Sequence, residues 1–147
     1  MNIMRAIDFL RQLRKTDLLI ENKLAEKEQW KNIALGTTAS GSEGERVQSS
    51  GNQQKMEDAI IKYLDIEKEI DQVIDKLIAA KMDVISVIEQ LNPAEYNLLH
   101  KVYVQYFTLK EAAYRCDMSY SAATTAHGRA LKNVQLIIDK RGSENDR

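Results

Sequence analysis

The chain has 147 residues, 29% of them charged and 44% apolar, with six glycines and one proline. At this length, so little Gly and Pro points to one compact domain or two small pieces built from long helices rather than sheet. The formal net charge of -1 hides an uneven spread: residues 1–92 carry 13 Lys and Arg against 16 Asp and Glu, whereas residues 93–141 carry 7 against 4. That local basic excess is compatible with phosphate contact.

Residues 2 to about 35 read as an amphipathic helix. Ile3, Ala6, Leu10, Leu13, Ile20 and Leu24 fall at helical spacings, and Asp17 breaks the stripe. Arg5, Asp8 and Arg11 interrupt the opening stretch, so neither a signal peptide nor a membrane span is expected, and the expected location is the cytoplasm. "GTTASGSEGERVQSSGNQQ", residues 36–54, holds four of the six glycines and reads as a flexible surface loop.

From about 53 to 91 the pattern tightens. Ala59, Tyr63, Ile66, Ile70, Val73, Leu77, Ala80, Val84, Val87 and Leu91 alternate spacings of four and three, a heptad seam. A second stripe, Ile60, Leu64, Ile74, Ile78, Ile85 and Ile88, widens the apolar arc beyond what one partner needs. Two partners are therefore expected, the first helix folded back and a second subunit, which makes residues 1–91 a coiled-coil hairpin for oligomerisation. The carboxylates Glu67, Glu69, Asp71 and Asp75 read as a solvated helix face rather than a metal or acid–base site.

Asn92, Pro93 and Glu95 have the spacing of a helix start, so a new unit is expected to open near 91–93 and run to about 141. Its first helix, about 93–107, would bury Leu98, Leu99, Val102 and Tyr106. "TLKE", residues 108–111, is a second capping box and starts a helix with Leu109, Ala112, Ala113 and Cys116 inward. Asp117 tolerates the left-handed turn that must follow, and Ser119 caps a third helix, about 119–139. On that helix Ala123, Ala126, Ala130, Val134 and Ile137 share a core-facing side. Tyr120, Ser121, Thr124, Thr125 and Gly128 lie opposite, with Arg129 and Lys132 beyond them. A helix, a short turn and a helix of this size form the unit that lays its second helix in the DNA major groove. Hydroxyls and threonine methyls suit base edges, and the basic pair suits phosphates. Residues 142–147 read as a disordered tail.

These residues carry a resemblance. "TLKEAAYRCDMSYSAATTAHGRALKNV" resembles the helix-turn-helix of region 4 of bacterial sigma factors, through its Thr-x-x-Glu-x-Ala opening, the serine cap and Arg129-Ala130-Leu131. With the first helix and "RVQSSGNQQKM", the whole chain is similar to phage-encoded regulators of the RinA/ArpU type. The resemblance implies an activator of late or packaging genes acting in the bacterial host cytoplasm. Tyr120, Ser121, Thr124 and Thr125 would face bases, and Lys110, Arg115, Arg129 and Lys132 would hold phosphates. Duplex DNA is the implied partner, a homodimer is expected through the coiled coil, and whether host RNA polymerase is a further contact stays open. The chain departs from the pattern at Asp117, where glycine is usual, at Ala123, where a bulky aliphatic is usual, and at Gly128.

The rival reading is a DNA-packaging protein of the small terminase subunit type, which a ring of eight or more subunits would favour over a dimer. No Walker loop, zinc motif or nucleophile elbow is present, so no enzyme, cofactor or metal is expected. The lone Cys116 excludes a disulfide within the chain and reads as a small buried hydrophobe. His127 is expected to pack, His100 to lie on the surface, and Trp30 to pack within the hairpin.

Overall fold

The computed structural model describes residues 5–36 and 50–145, and every regular element among them is helical. The helices are α1 (Ala6–Ala34), α2 (Ser50–Ile88), α3 (Pro93–Leu99), α4 (Leu109–Arg115) and α5 (Tyr120–Asn145), and α3 runs on into a π-helical turn, His100–Val104. None of these helices is long and apolar enough to cross a membrane. Ile3 and most of the Gly/Ser stretch lie outside the described residues, but Ser50–Gln54, expected as loop, are the first turns of α2. A helix of 39 residues can include such weak formers at its start because adding a residue costs far less than nucleating a turn.

By packing, the chain divides into two compact units, Asp17–Lys76 and Met1–Thr16 together with Leu77–Arg147. In the first, α1 and α2 pair antiparallel. Lys23 Nζ lies 2.8 Å from Glu69 Oε2, and Lys27 Nζ lies 3.2 Å from Glu67 Oε1. The α2 seam holds here. Ala59, Ile66 and Ile70 are buried, and Tyr63 and Val73 are half-buried. The α1 side runs through Ile20, Lys23, Lys27, Trp30 and Ala34, all half-buried at spacings of three and four. Leu24, expected inside, is 49% exposed because it sits one position past that seam. Two seam positions are thus lysines, whose stems lie along the partner helix while their ammonium groups reach its carboxylates. The Lys27 ammonium also stands 5.2 Å from the Tyr63 ring centroid.

The seam is therefore covered from within the chain. The second stripe is not, since Ile60, Leu64, Ile74 and Ile78 are exposed, while Ile85 is half-buried and Ile88 fully buried.

The second unit has the larger core. Ala6, Phe9, Leu10 and Leu13 of α1 meet Val84, Val87 and Ile88 of α2, Leu99, Tyr103 of the π turn, and Ala130 and Val134 of α5. A smaller cluster, Leu98, Ala112, Ala113 and Ala123, joins α3, α4 and α5. Leu91, Leu99 of α3, Tyr103 of the π turn and Ala130 of α5 pack in one cluster with Ala6 and Val84, so the junction at 91–93 is a change of helix within one unit. The expected single helix over 93–107 changes character at His100. Tyr106, beyond the turn, has a positive φ of 65°. Residues 142–145, expected as disordered tail, continue α5. The Arg141 guanidinium pairs with Asp83 at 2.6 Å, and Ser143 Oγ donates to the Lys140 carbonyl at 2.9 Å.

Candidate nucleic-acid interface

The segment from α3 to α5 is shaped by local chemistry at each end. Asn92 Oδ1 accepts from the Glu95 amide at 2.9 Å, with Pro93 at the first helical position, which needs no amide proton. Thr108 Oγ1 accepts from the Glu111 amide at 3.2 Å and starts α4. At the end of α4, Asp117 takes φ 56°, while the Met118 amide reaches Ala113 O and the Asp117 amide reaches Tyr114 O. This crossed pair is the Schellman closure, and Met118 folds its side chain back onto the small core cluster. One residue later Ser119 Oγ accepts from the Ala122 amide at 3.0 Å and opens α5. The turn between the two helices is thereby reduced to residues 116–119.

Burial on α5 follows the expected split. Ala123, Ala130 and Val134 are fully buried, and Ala126 and Ile137 are half-buried. Tyr120, Ser121, Thr124, Thr125, Gly128, Arg129 and Lys132 are exposed, as are Lys110 and Arg115 of α4. A Cβ added at Gly128 would meet nothing within 4 Å, so helix packing does not require glycine there. Thr124 Oγ1 donates to Tyr120 O at 2.9 Å and Thr125 Oγ1 to Ser121 O at 3.2 Å. These hydroxyl protons are already used, which leaves an acceptor oxygen and a methyl pointing away from the backbone. Ser119, Ser121, Thr125 and Arg129 line one shallow groove beside α3. The Arg115 guanidinium stacks on the Phe107 ring, 4.2 Å from its centroid.

Three features lie outside what residue types suggest. Glu95 is 3% exposed, and its two carboxylate oxygens each lie 3.1 Å from Asn133 Nδ2 of α5, which donates to them. The carboxylate is thus turned to α5 rather than to the Asn92 backbone. Tyr103 Oη and His127 Nε2 are hydrogen-bonded at 2.7 Å, with their rings stacked 5.7 Å apart. Burial lowers the His127 pKa and raises that of Tyr103, and the Arg11 charge pulls both down. His100 is half-buried rather than a surface residue, and its Nδ1 lies 2.8 Å from Gln105 Nε2. Both long-range pairs join residues 24 and 38 positions apart, so no local spacing could signal them. Cys116 is half-buried against the small cluster.

Comparison with known proteins finds no family model that matches the chain, and no curated protein or solved structure similar to it.

Proposed function

We propose that residues 93–141 are a helix-turn-helix head that binds duplex DNA, and that the protein is a sequence-specific transcriptional regulator of the phage late-activator kind. The observation that carries this reading is the division of α5. Its buried alanine side locks onto α3 and α4, while Tyr120, Ser121, Thr124 and Thr125 form an outward patch of small hydroxyl side chains just past the turn. The N-terminal part of the second helix is where such a unit meets base edges. Because both threonine protons return to the helix, the patch would read through acceptor oxygens and methyls. Those suit the amino groups of cytosine and adenine and the methyl of thymine. Gly128 leaves the outward face low, so that the duplex can approach closely. Lys110, Arg115, Arg129 and Lys132, all exposed, would hold the phosphates on either side.

One head offers few base contacts, so a second copy is part of the proposal. The exposed residues Ile60, Leu64, Ile74 and Ile78 of α2 would form the face through which two chains meet.

Competition binding with specific and scrambled duplexes at fixed salt tests this reading. Thr124→Ala with Thr125→Ala is expected to lower the specific-to-nonspecific ratio, each lost contact being worth roughly 1–3 kcal/mol. The fold should persist, since alanine is the better helix former. Arg129→Ala should weaken all duplexes alike and reduce the salt slope by about one. An unchanged ratio in the folded double variant would sink the assignment of α5.

A further inference from the structure

A cleft of about 340 Å³ opens beside the Tyr103–His127 pair, within the range of small-molecule sites. Its accessible apolar surface comes from Ile7, Val102 and Leu109, all half-buried, and its polar groups converge from three elements. Arg11 and Arg14 come from α1, Tyr103 from the π turn and His127 from α5. The Arg14 guanidinium is stacked on the Tyr106 ring, 4.9 Å from the centroid. Arg11 stands near enough that its charge acts on both Tyr103 and His127. No carboxylate is among the residues that line the cleft. Two guanidinium groups bordering an apolar surface are suited to an anion.

The backbone of the same wall is unusual in two places. Tyr103 is carried by a π-helical turn, and Tyr106 holds a positive φ of 65°, which is uncommon for a bulky residue. π turns and sparsely populated backbone conformations recur at binding sites, where a side chain must be aimed rather than merely packed. At Tyr106 the positive φ lets the Phe107 amide reach the Lys101 carbonyl at 2.9 Å and close the helix, and the Tyr103 and Tyr106 rings both stand on the wall of the cleft that the arginines border.

We propose that this cleft binds a small organic anion, a carboxylate or phosphate joined to a flat apolar body. The charged end is held by Arg11 and Arg14, and the body lies over Ile7, Val102 and Leu109 beside Tyr103 and His127. The inference is independent of DNA binding. The exposed phosphates of a duplex would not fill an apolar floor, whereas an aromatic or aliphatic body would.

The chain contains two histidines, so His127 can be followed by its imidazole NMR signal with His100 as an internal control. Phenyl phosphate is the probe, with inorganic phosphate and phenol titrated separately. The expected result is a saturable shift of the His127 signal by phenyl phosphate, at least tenfold weaker for either fragment. Arg11→Gln with Arg14→Gln is expected to weaken the probe at least tenfold, and both residues are exposed, so the fold should survive. Tyr103→Phe keeps the ring and should bind the probe with a changed His127 shift. No saturable shift, equal binding of inorganic phosphate, or unchanged affinity in the double arginine variant would each overturn the proposal. So would a His127 shift produced by a duplex but not by phenyl phosphate, which would reassign the arginines to the DNA backbone.

Discussion

Residues 17–76 and the unit built from residues 5–16 and 77–145 obey the same helical periodicity, yet they bury very different amounts of it. The first is two helices with a seam one residue wide, in which Ala59, Ile66 and Ile70 are buried. Leu18, Leu19, Leu24, Ile33, Ile60, Ile61, Leu64 and Ile74 stay at least a third exposed. The second surrounds Leu10, Val84, Leu99 and Val134 from several helices and leaves them with no exposure. A pattern on one helix fixes which face is apolar, but only the number of neighbouring elements fixes how much of that face leaves water.

Core truncation should expose the difference most sharply. Leu99→Ala removes a side chain enclosed on all sides and is expected to cost about 3–4 kcal/mol, read from the shift in urea midpoint. Ile66→Ala, in the two-helix unit, should cost about 2 kcal/mol, because the site can relax toward solvent. Equal losses would mean that the paired helices are as enclosed as the larger core, as a bound second copy would make them.

The next effect concerns the buried carboxylate. Asn133→Leu leaves Glu95 without the donor that both its oxygens use, and is expected to cost about 1–3 kcal/mol. Pairing the change with Glu95→Leu should recover part of the loss. If the single variant unfolds at the wild-type midpoint, water has reached Glu95 and the α3–α5 contact is looser than its burial implies.

The smallest effect is a pH dependence confined to the larger unit, which contains both histidines. Burial lowers the pKa of His127, with Arg11 adding to it, and burial followed by Lys101 and Lys81 lowers that of His100. For a depressed histidine the neutral form is the one the fold favours. Stability should therefore be fully present above the unfolded value near 6.5 and decline as pH falls through the lower folded values. Urea midpoints between pH 7 and pH 5 should show the decline, and His127→Gln should reduce it. A profile unchanged by that variant would place the titration elsewhere.

What the sequence made legible were the features a few neighbouring residues decide. The seam over 59–91 came out buried or half-buried at every position because the period belongs to the backbone. Asn92, Thr108, Ser119 and the left-handed Asp117 act within three residues of themselves, and each does what its side chain permits. Leu24 was misplaced because the α1 seam passes through Lys23 and Lys27, and a lysine gives no sign that its stem will be inside. The π turn, the Glu95–Asn133 pair and the Tyr103–His127 pair depend on which helices meet, and composition does not carry that. On α5 the outward patch was legible as a surface, while the fact that its threonine protons are already engaged was not.

The union of both ends of the described chain in one core has a consequence for how the protein is made. The Ala6 amide donates to Gln135 Oε1 at 2.7 Å across 129 positions, and Leu10 and Leu13 share a core with Ala130 and Val134. At ribosomal rates of about 5–20 residues per second, the first turns of α1 wait roughly 6–25 s before their last neighbours exist. During that interval Phe9, Leu10 and Leu13 can be covered by Val84, Val87 and Ile88 of α2 and then by Leu99 and Tyr103, all synthesised before α5. Contacts of α1 with α2, α3 and the π turn are therefore available first, and α5 is the last element that can close the core.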